Sequence, residues 1–315
     1  MAAFSEADLA GVRRGLLAFS YQLLGSPFEA EDAVQDALER MWRSRGSFDP
    51  ARASFVTWAY RVARNVCVDR LRQTPRRPLP RDLTDPGIEV GAPLVPSFDV
   101  PWLLPAPAGW AGRTASDSEP AAAAEQAEEV RFAVTAMLQT LSPLQRGAFV
   151  LRDVIGLTAG ETAAVLEVSV ASANSALQRA RAAIREGTRR AHPLRPGVVE
   201  HYAAAIRAAD VRALASLVND DVVFEMPPVP QWSVGRAPFA AFMAHLFAWR
   251  GTAWATEPIT ANGQHGFLLY RVTEQGREPH TVQLFDGSET SRGDAIASVL
   301  VYQDPRLFAL FAPTP

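Results

Sequence analysis

Lysine is absent from the 315 residues, cysteine occurs once, and no apolar run approaches the roughly 18 residues that cross a bilayer. Each absence excludes a class of function. The single thiol, Cys67, cannot close an internal disulfide or build a cysteine-based zinc or redox centre. The opening MAAFSEADLAGVRR lacks the basic-then-apolar order of a secretory signal, so a cytoplasmic location without membrane attachment is expected. The chain has no P-loop, dinucleotide fingerprint, His-rich metal spacing or nucleophile elbow. Neither a cofactor nor a metal is therefore expected, and the chain does not read as an enzyme.

What is present is globular: 48% hydrophobic residues over this length provide for two or three modest cores. All 31 basic residues are arginine, and the overall charge of -3 hides a partition. Residues 1–78 carry +3, 79–129 carry -7, 130–195 carry +5 and 196–315 carry -4. Two basic blocks separated by an acidic one suggest two polyanion-facing modules that the acidic parts could cover. Ten of the 24 prolines fall in 74–129, which reads as a linker with a small-residue run at Ala121 to Ala124. Inside it, Trp102 to Pro107 and Trp110 form an apolar island, expected to dock on the C-terminal domain.

The first block has helical periodicity. Leu9, Val12, Leu16, Leu17, Phe19, Leu23 and Leu24 predict a helix ending near Gly25. Ser26-Pro27-Phe28-Glu29 opens a second, to about Arg43, and a third runs from about Ala53 to Arg72. In the second block a helix spans Glu128 to Thr140, and Ser142-Pro143-Leu144-Gln145 caps the next. A short helix from Thr158 to Leu166 and a long one from Ser169 to about Glu186 make a helix-turn-helix. The third block predicts helices over Val198–Ala209, Val211–Leu217 and Pro238–Ala248. Strands are predicted over Val222–Met226, Phe267–Val272, Thr281–Phe285 and Ala295–Tyr302, which is an α+β pattern.

Two helical faces carry the functional signal. At 100° per residue, Phe55, Ala59, Val62, Ala63, Val66 and Cys67 share one side of the third helix, and Arg61, Arg64, Asn65, Asp69 and Arg72 the other. Trp58 projects with the arginines, where it either packs on a neighbouring helix or stacks on unpaired bases. On the last helix of the second block, Val170, Ala173, Leu177, Ala180 and Ile184 make an apolar stripe. Ser172, Asn174, Ser175, Gln178, Arg179 and Arg185 form the opposite arc. Short hydrogen-bonding side chains there suit a helix that enters the major groove, or one that is merely solvated.

The run Ala30-Glu31-Asp32-Ala33-Val34-Gln35-Asp36 with Trp42, the run Phe55 to Asn65, Leu141-Ser142-Pro143 and Ser175 to Arg181 occur in this order with a linker between. In this the chain resembles the extracytoplasmic-function sigma factors, promoter-recognition subunits of bacterial RNA polymerase. The resemblance implies two all-α sigma domains: region 2 over 1–78 and a region 4 helix-turn-helix over 128–195, joined by a Pro-rich acidic linker at 79–127. It implies core polymerase, through its clamp and flap, and promoter DNA as partners. Asp32, Gln35, Asp36 and Arg40 would then grip the clamp. Trp58, Tyr60, Arg61, Arg64 and Asn65 would hold the -10 element as single strand. Ser172, Asn174, Ser175, Gln178 and Arg179 would read the -35 element, although Asn174 and Ala176 stand where many members carry basic residues.

Tyr202 to Asp210, Asp221 to Trp232 and Gly235-Arg236 resemble a SnoaL-like α+β cone over 196–315, a regulatory tail borne by some sigma factors. The implied role is regulation in cis. Phe224, Met226, Trp232, Phe242, His245 and Tyr270 would line a pocket for a small-molecule ligand, or simply form the core. Two other readings remain: a small-molecule-converting cone enzyme with a helical targeting module, and a ligand-gated regulator that binds duplex DNA without polymerase.

Overall fold

The computed structural model describes residues 4–74, 76–110, 132–187, 194–290 and 293–312. The chain divides into two compact units whose sequences interleave. One comprises Met1–Arg77 and Leu103–Arg189, the other Pro78–Trp102 and Arg190–Pro315. The run Ala121 to Ala124 and the start of the helix expected from Glu128 lie outside the described residues.

In the first unit, α1 (Glu6–Leu24) begins at a capping box. The Ser5 hydroxyl accepts from the Asp8 N–H, and the Asp8 carboxylate accepts from the Ser5 N–H. The helix ends at Gly25, whose φ of 70° closes it in the left-handed region. Leu103 and the Gln139 amide crowd the place where a Cβ would stand, so glycine is required on two counts. Helix α2 (Pro27–Arg43) starts on the Ser26 cap, and α3 (Phe55–Gln73) on the Ser54 cap. After the undescribed stretch come α4 (Phe132–Leu138) and α5 (Pro143–Phe149), the latter continuing through a π-helical turn at Val150–Val154. Helices α6 (Ala159–Leu166) and α7 (Val170–Gly187) form the helix-turn-helix.

These helices share one core. Leu16, Leu17 and Phe19 of α1, Ala33, Ala37 and Met41 of α2, and Ala59, Ala63 and Val66 of α3 belong to the same buried cluster as Leu151, Val154, Leu166, Leu177 and Ile184. Polar bolts cross it. The buried Arg146 of α5 donates from Nη1 to the Leu23 carbonyl (2.5 Å) and to Gln139 Oε1 (3.1 Å). Those acceptors sit at the electronegative end of α1 and beside it, which suits a cation. Burial nonetheless lowers the guanidinium pKa to about 10. Thr135 of α4 donates to Gln22 Oε1 of α1 at 3.1 Å.

The second unit is a six-stranded sheet packed with helices. Its helices are α8 (Pro196–Arg207), α9 (Val211–Leu217), α10 (Arg236–Arg250) and α11 (Pro305–Phe311). Its strands are β1 (Val218–Met226), β2 (Val229–Val234), β3 (Trp254–Ala261), β4 (Gln264–Thr273), β5 (Gly276–Thr290) and β6 (Gly293–Tyr302), in the order β2-β1-β6-β5-β4-β3. Only β1 and β6 pair in parallel; the other neighbours are antiparallel. Strands β2 and β3 were not expected from the sequence. Both are edge strands and both contain a proline, Pro230 and Pro258, which an edge tolerates and a propensity reading takes for a loop.

The 79–127 segment is not one continuous linker. Residues 78–102 form a strap on the second unit: Gly87 N–H donates to the Trp232 carbonyl and Ser97 N–H to the Pro228 carbonyl, each at 2.8 Å. Ile88 and Leu94 pack against that unit's core. The apolar island is split: Trp102 belongs with the C-terminal domain, as expected of the whole island, but the residues from Leu103 on belong to the first unit. Trp102 stays with the strap, while Leu104 N–H donates to the Gly25 carbonyl (3.0 Å) and Tyr21 Oη donates to the Leu104 carbonyl (3.0 Å) in the first unit. Trp110 packs edge-on against Tyr21 and donates from Nε1 to Glu31 Oε1 (3.2 Å). The free backbone groups at the end of α1 explain this choice, because a helix C-terminus leaves acceptors to be satisfied.

Candidate nucleic-acid interface

Helix α3 presents fewer exposed groups than its sequence projection suggests. Arg61 and Asn65 are exposed and Arg64 is half-buried, but Trp58 and Tyr60 are buried. The Trp58 ring lies among Phe4, Phe48 and Phe55, with centroids 5.5, 5.2 and 6.1 Å away. The expectation that it projects with the arginines is thereby corrected. Phe4 and Phe48 come from outside the helix, so no projection of α3 alone could reveal them. Tyr60 packs edge-on against Phe19, and its hydroxyl occupies the place where any side chain on Gly15 would begin. Burial raises its phenol pKa beyond the usual range.

Arg64 is occupied. Its Nη1 donates to Asn65 Oδ1 (2.7 Å) and to Glu167 Oε2 (3.2 Å), and its Nη2 to the Leu166 carbonyl (3.3 Å). Glu167 is the residue that turns the chain between α6 and α7, at φ 58°.

On α2, Asp32, Gln35, Glu39 and Trp42 make one exposed stripe, with Trp42 41% exposed under a stacked Arg45 guanidinium. Asp36 and Arg40 reach α3: Asp36 pairs with Arg70 at 2.7 Å and Arg40 with Asp69 at 3.8 Å. Of the four residues assigned to one surface, Asp32 and Gln35 thus lie on the open stripe, and Asp36 and the exposed Arg40 stand beside it while also meeting α3. Glu39 and Trp42 were left out, although the 3-4-3 spacing from Asp32 could have found them.

Helix α7 keeps its polar arc. Asn174, Ser175, Gln178 and Arg179 are exposed and Ser172 is half-buried; Ser169 caps the helix by accepting from Ser172 N–H at 3.1 Å. Arg179 Nη1 donates to Ser175 Oγ (2.7 Å), which holds the guanidinium along the helix. Two details differ from the projection. Val170 is 45% exposed, because it stands at the first helical residue before the buried side begins, and Ala176 is fully buried. An apolar residue at 176 therefore faces the core rather than leaving an open contact unmade. Arg181 is fixed to Asp153 on the π-helical turn by two bonds of 2.7 and 2.6 Å, and that pairing raises its pKa. The preceding helix is held by a reciprocal cap: Thr158 Oγ1 accepts from Glu161 N–H, and Glu161 Oε2 accepts from Thr158 N–H at 2.9 Å. Hydrogen bonds from Thr158 keep the Glu161 carboxyl below its ordinary pKa.

None of the six residues expected to line a pocket in the second unit lines the cavity found there. Phe224, Met226 and Phe242 are core, and the Phe224 ring packs on Phe239 and Phe242. Tyr270 packs on Phe308 of α11, and its hydroxyl donates to Glu257 (2.8 Å); desolvation and that carboxylate raise its pKa to about 12. His245 stacks on Trp249, and Trp232 donates from Nε1 to the Thr84 carbonyl of the strap (2.8 Å). A cavity of about 310 Å³ lies elsewhere, between α8 and the β3–β4 hairpin, lined by Val199, Glu200, Ala203, Thr256, His265 and Phe267 among others.

The strap is anchored by a charge that the sequence reading passed over. Glu225, fully buried, accepts from the Arg81 N–H at 2.9 Å and pairs with the Arg81 guanidinium. Among the described residues no helix is long and apolar enough to cross a membrane.

Three stretches match known families: residues 10–77 match Sigma-70 region 2, 131–184 match Sigma-70 region 4, and 199–299 match the SnoaL-like domain. The chain is 32% identical over 308 residues to the ECF RNA polymerase sigma factor SigG of Mycobacterium tuberculosis, an alignment covering 95% of this chain and 81% of that one. It is 31% identical over 237 residues to SigJ of the same species, covering 74% and 66%. The crystal structure of the M. tuberculosis extracytoplasmic function sigma factor SigJ has the same fold, with a TM-score of 0.63 at 24% identity over 98% of this chain and 99% of that one.

Proposed function

The chain belongs to the extracytoplasmic-function sigma factors, and from that premise we propose that it binds core RNA polymerase and directs it to promoters, under regulation in cis by its SnoaL-like domain. The observation that carries the promoter reading is the exposed arc Asn174, Ser175, Gln178 and Arg179 on the second helix of a helix-turn-helix. Short side chains let the helix approach, and Gln, Asn and Arg can pair with base edges of the -35 element. Ser172 lies at the same end of the helix and contributes at its margin.

For the -10 element, Arg61, Arg64 and Asn65 supply the polar contacts, and Trp58 and Tyr60 support the helix from beneath. For the polymerase clamp, Asp32, Gln35 and the exposed Arg40 act with Glu39 and Trp42, while Asp36 pairs with Arg70 of α3. Supporting regulation in cis is the strap, since the SnoaL-like domain grips part of the very segment that joins region 2 to region 4. Holding residues 78–102 limits the chain available to span the two promoter elements.

In vitro transcription with purified core polymerase and a promoter library tests both parts. Transcripts starting at defined sites support the sigma reading; silence together with no binding to core sinks it. Arg81→Ala leaves the Glu225 carboxylate buried without its cation and should loosen the strap. A change in transcript yield of about threefold or more is expected, and equal yield from the two proteins would remove the strap from regulation.

A further inference from the structure

We propose that Ser175 is a positioning residue for promoter reading: its hydroxyl holds the Arg179 guanidinium so that the forked side of that group faces a guanine of the -35 element. This rests on the -35 reading of α7 and deepens it, giving Ser175 a part different from that of Asn174 and Gln178.

Distance along the helix sets the problem. A recognition helix reads bases chiefly with its N-terminal residues, and α7 begins at Val170. Arg179 stands well inside, about 14 Å beyond that first residue at 1.5 Å per residue. Its side chain runs back toward the helix start, the ordinary direction for a long side chain on a helix, and Nη1 donates to Ser175 Oγ at 2.7 Å. The charged head thereby lies over the preceding turn, about 6 Å nearer the reading end. Both residues are exposed.

The tether uses a donor that a guanine does not need. A guanidinium carries five N–H groups in a rigid fork, and the side made by Nε and Nη2 can meet two acceptors at once. Two residues on, Arg181 has committed that side to Asp153, with Nε donating to one carboxylate oxygen at 2.7 Å and Nη2 to the other at 2.6 Å. On Arg179 the same side is open: among the described residues neither Nε nor Nη2 meets an acceptor. In the major groove, two adjacent acceptors are the signature of guanine, at O6 and N7. A phosphate would also take the fork, but it carries no sequence. A long side chain already held in its binding geometry loses less rotational freedom on contact, so the tether favours the reading conformation.

Ser175→Ala removes the hydroxyl without weakening the helix, because alanine is the better helix former. A duplex library randomised over the -35 element, selected with the full-length protein and sequenced, gives the preference at each base pair. Arg179→Ala should lose a guanine preference at one position, with affinity for the wild-type-selected duplex falling at least about fivefold. Ser175→Ala should weaken the preference at that same position about threefold, and Ser175→Thr, which keeps a hydroxyl, should retain it. Adding Ser175→Ala to Arg179→Ala should change nothing further, because the hydroxyl acts through the guanidinium. A threefold loss in both backgrounds would mean that the serine touches DNA itself, and a loss spread evenly over all sequences would mean that the fork grips a phosphate; either result overturns the proposal. Unaltered preferences in Ser175→Ala beside an affected Arg179→Ala protein overturn the positioning and leave the -35 reading in place. An Arg179→Ala protein that selects the same sequences as the wild type sinks both.

Discussion

Trp58 and Arg179 show how differently two side chains from the same sequence argument behave once folded. Both looked available to nucleic acid, yet one is walled in by Phe4, Phe48 and Phe55 and the other lies along an open helix. Trp58→Ala should therefore act on stability. Removing a packed indole costs about 3–5 kcal/mol, a fall of roughly 10 °C in Tm, and DNA binding should drop only with the folded fraction. A selective loss of promoter opening at unchanged Tm would show instead that the ring leaves its pocket. Arg179→Ala should leave Tm nearly unchanged and weaken -35 duplex binding by about 1–3 kcal/mol. Titration of the two proteins with the same duplex decides it, and a difference below a few tenths of a kcal/mol would take Arg179 out of the interface. A helical projection assigns a face, but what covers that face comes from distant residues, so Arg179 could be read from the sequence and Trp58 could not.

At the scale of elements, the signals that were legible are the local ones. Gly25 ends α1, the Ser142–Gln145 and Thr158–Glu161 pairs start α5 and α6, and the apolar periods of α1 and α3 fall on the buried side. Elements set by their place in a sheet were missed, because β2 and β3 are held by their neighbours rather than by composition. The strap was missed for the same reason: Arg81 finds its partner 144 residues away. The Thr158 cap makes a quantitative prediction, since its loss frees one N–H at the start of a short helix. Thr158→Ala should lower the stability of the first unit by about 1 kcal/mol, measurable by chemical denaturation. The Glu161 half of this box also sets a pH dependence. Its folded pKa lies below the ordinary 4.5, so its stabilisation is full above the unfolded value and is lost as pH falls through the lower folded value. Wild-type stability should decline through that window, and the Thr158→Ala protein should decline less, because the carboxyl has lost its largest hydrogen-bond partner.

For the whole molecule, the order of segments matters more than their list. The backbone passes between the two units at Arg77–Pro78, Trp102–Leu103 and Arg189–Arg190, so the strap is tied to the first unit by covalent bonds at both ends, while the hydrogen bonds of Gly87 and Ser97, the Arg81–Glu225 pair and the packing of Ile88 and Leu94 lie in the second. Removing the SnoaL-like domain by truncation after Arg195 does two things at once: it deletes a domain and it strips the cover from residues 78–102. Ile88 and Leu94 lose the core they pack on, and Arg81 loses Glu225. A segment with few buried contacts of its own opens locally at little cost. Trypsin should then cut after Arg81 at least about tenfold faster in the truncated protein than in the full chain, since cleavage follows the population of the open form. Cleavage at equal rates would mean that the strap keeps its conformation without the domain. If the strap is released, a transcription difference between full and truncated chains mixes domain loss with linker release. Arg81→Ala, which loosens the strap with the domain still in place, separates the two: matching transcription by Arg81→Ala and the truncated chain would locate regulation in the linker, and divergence would locate it in the remainder of the domain.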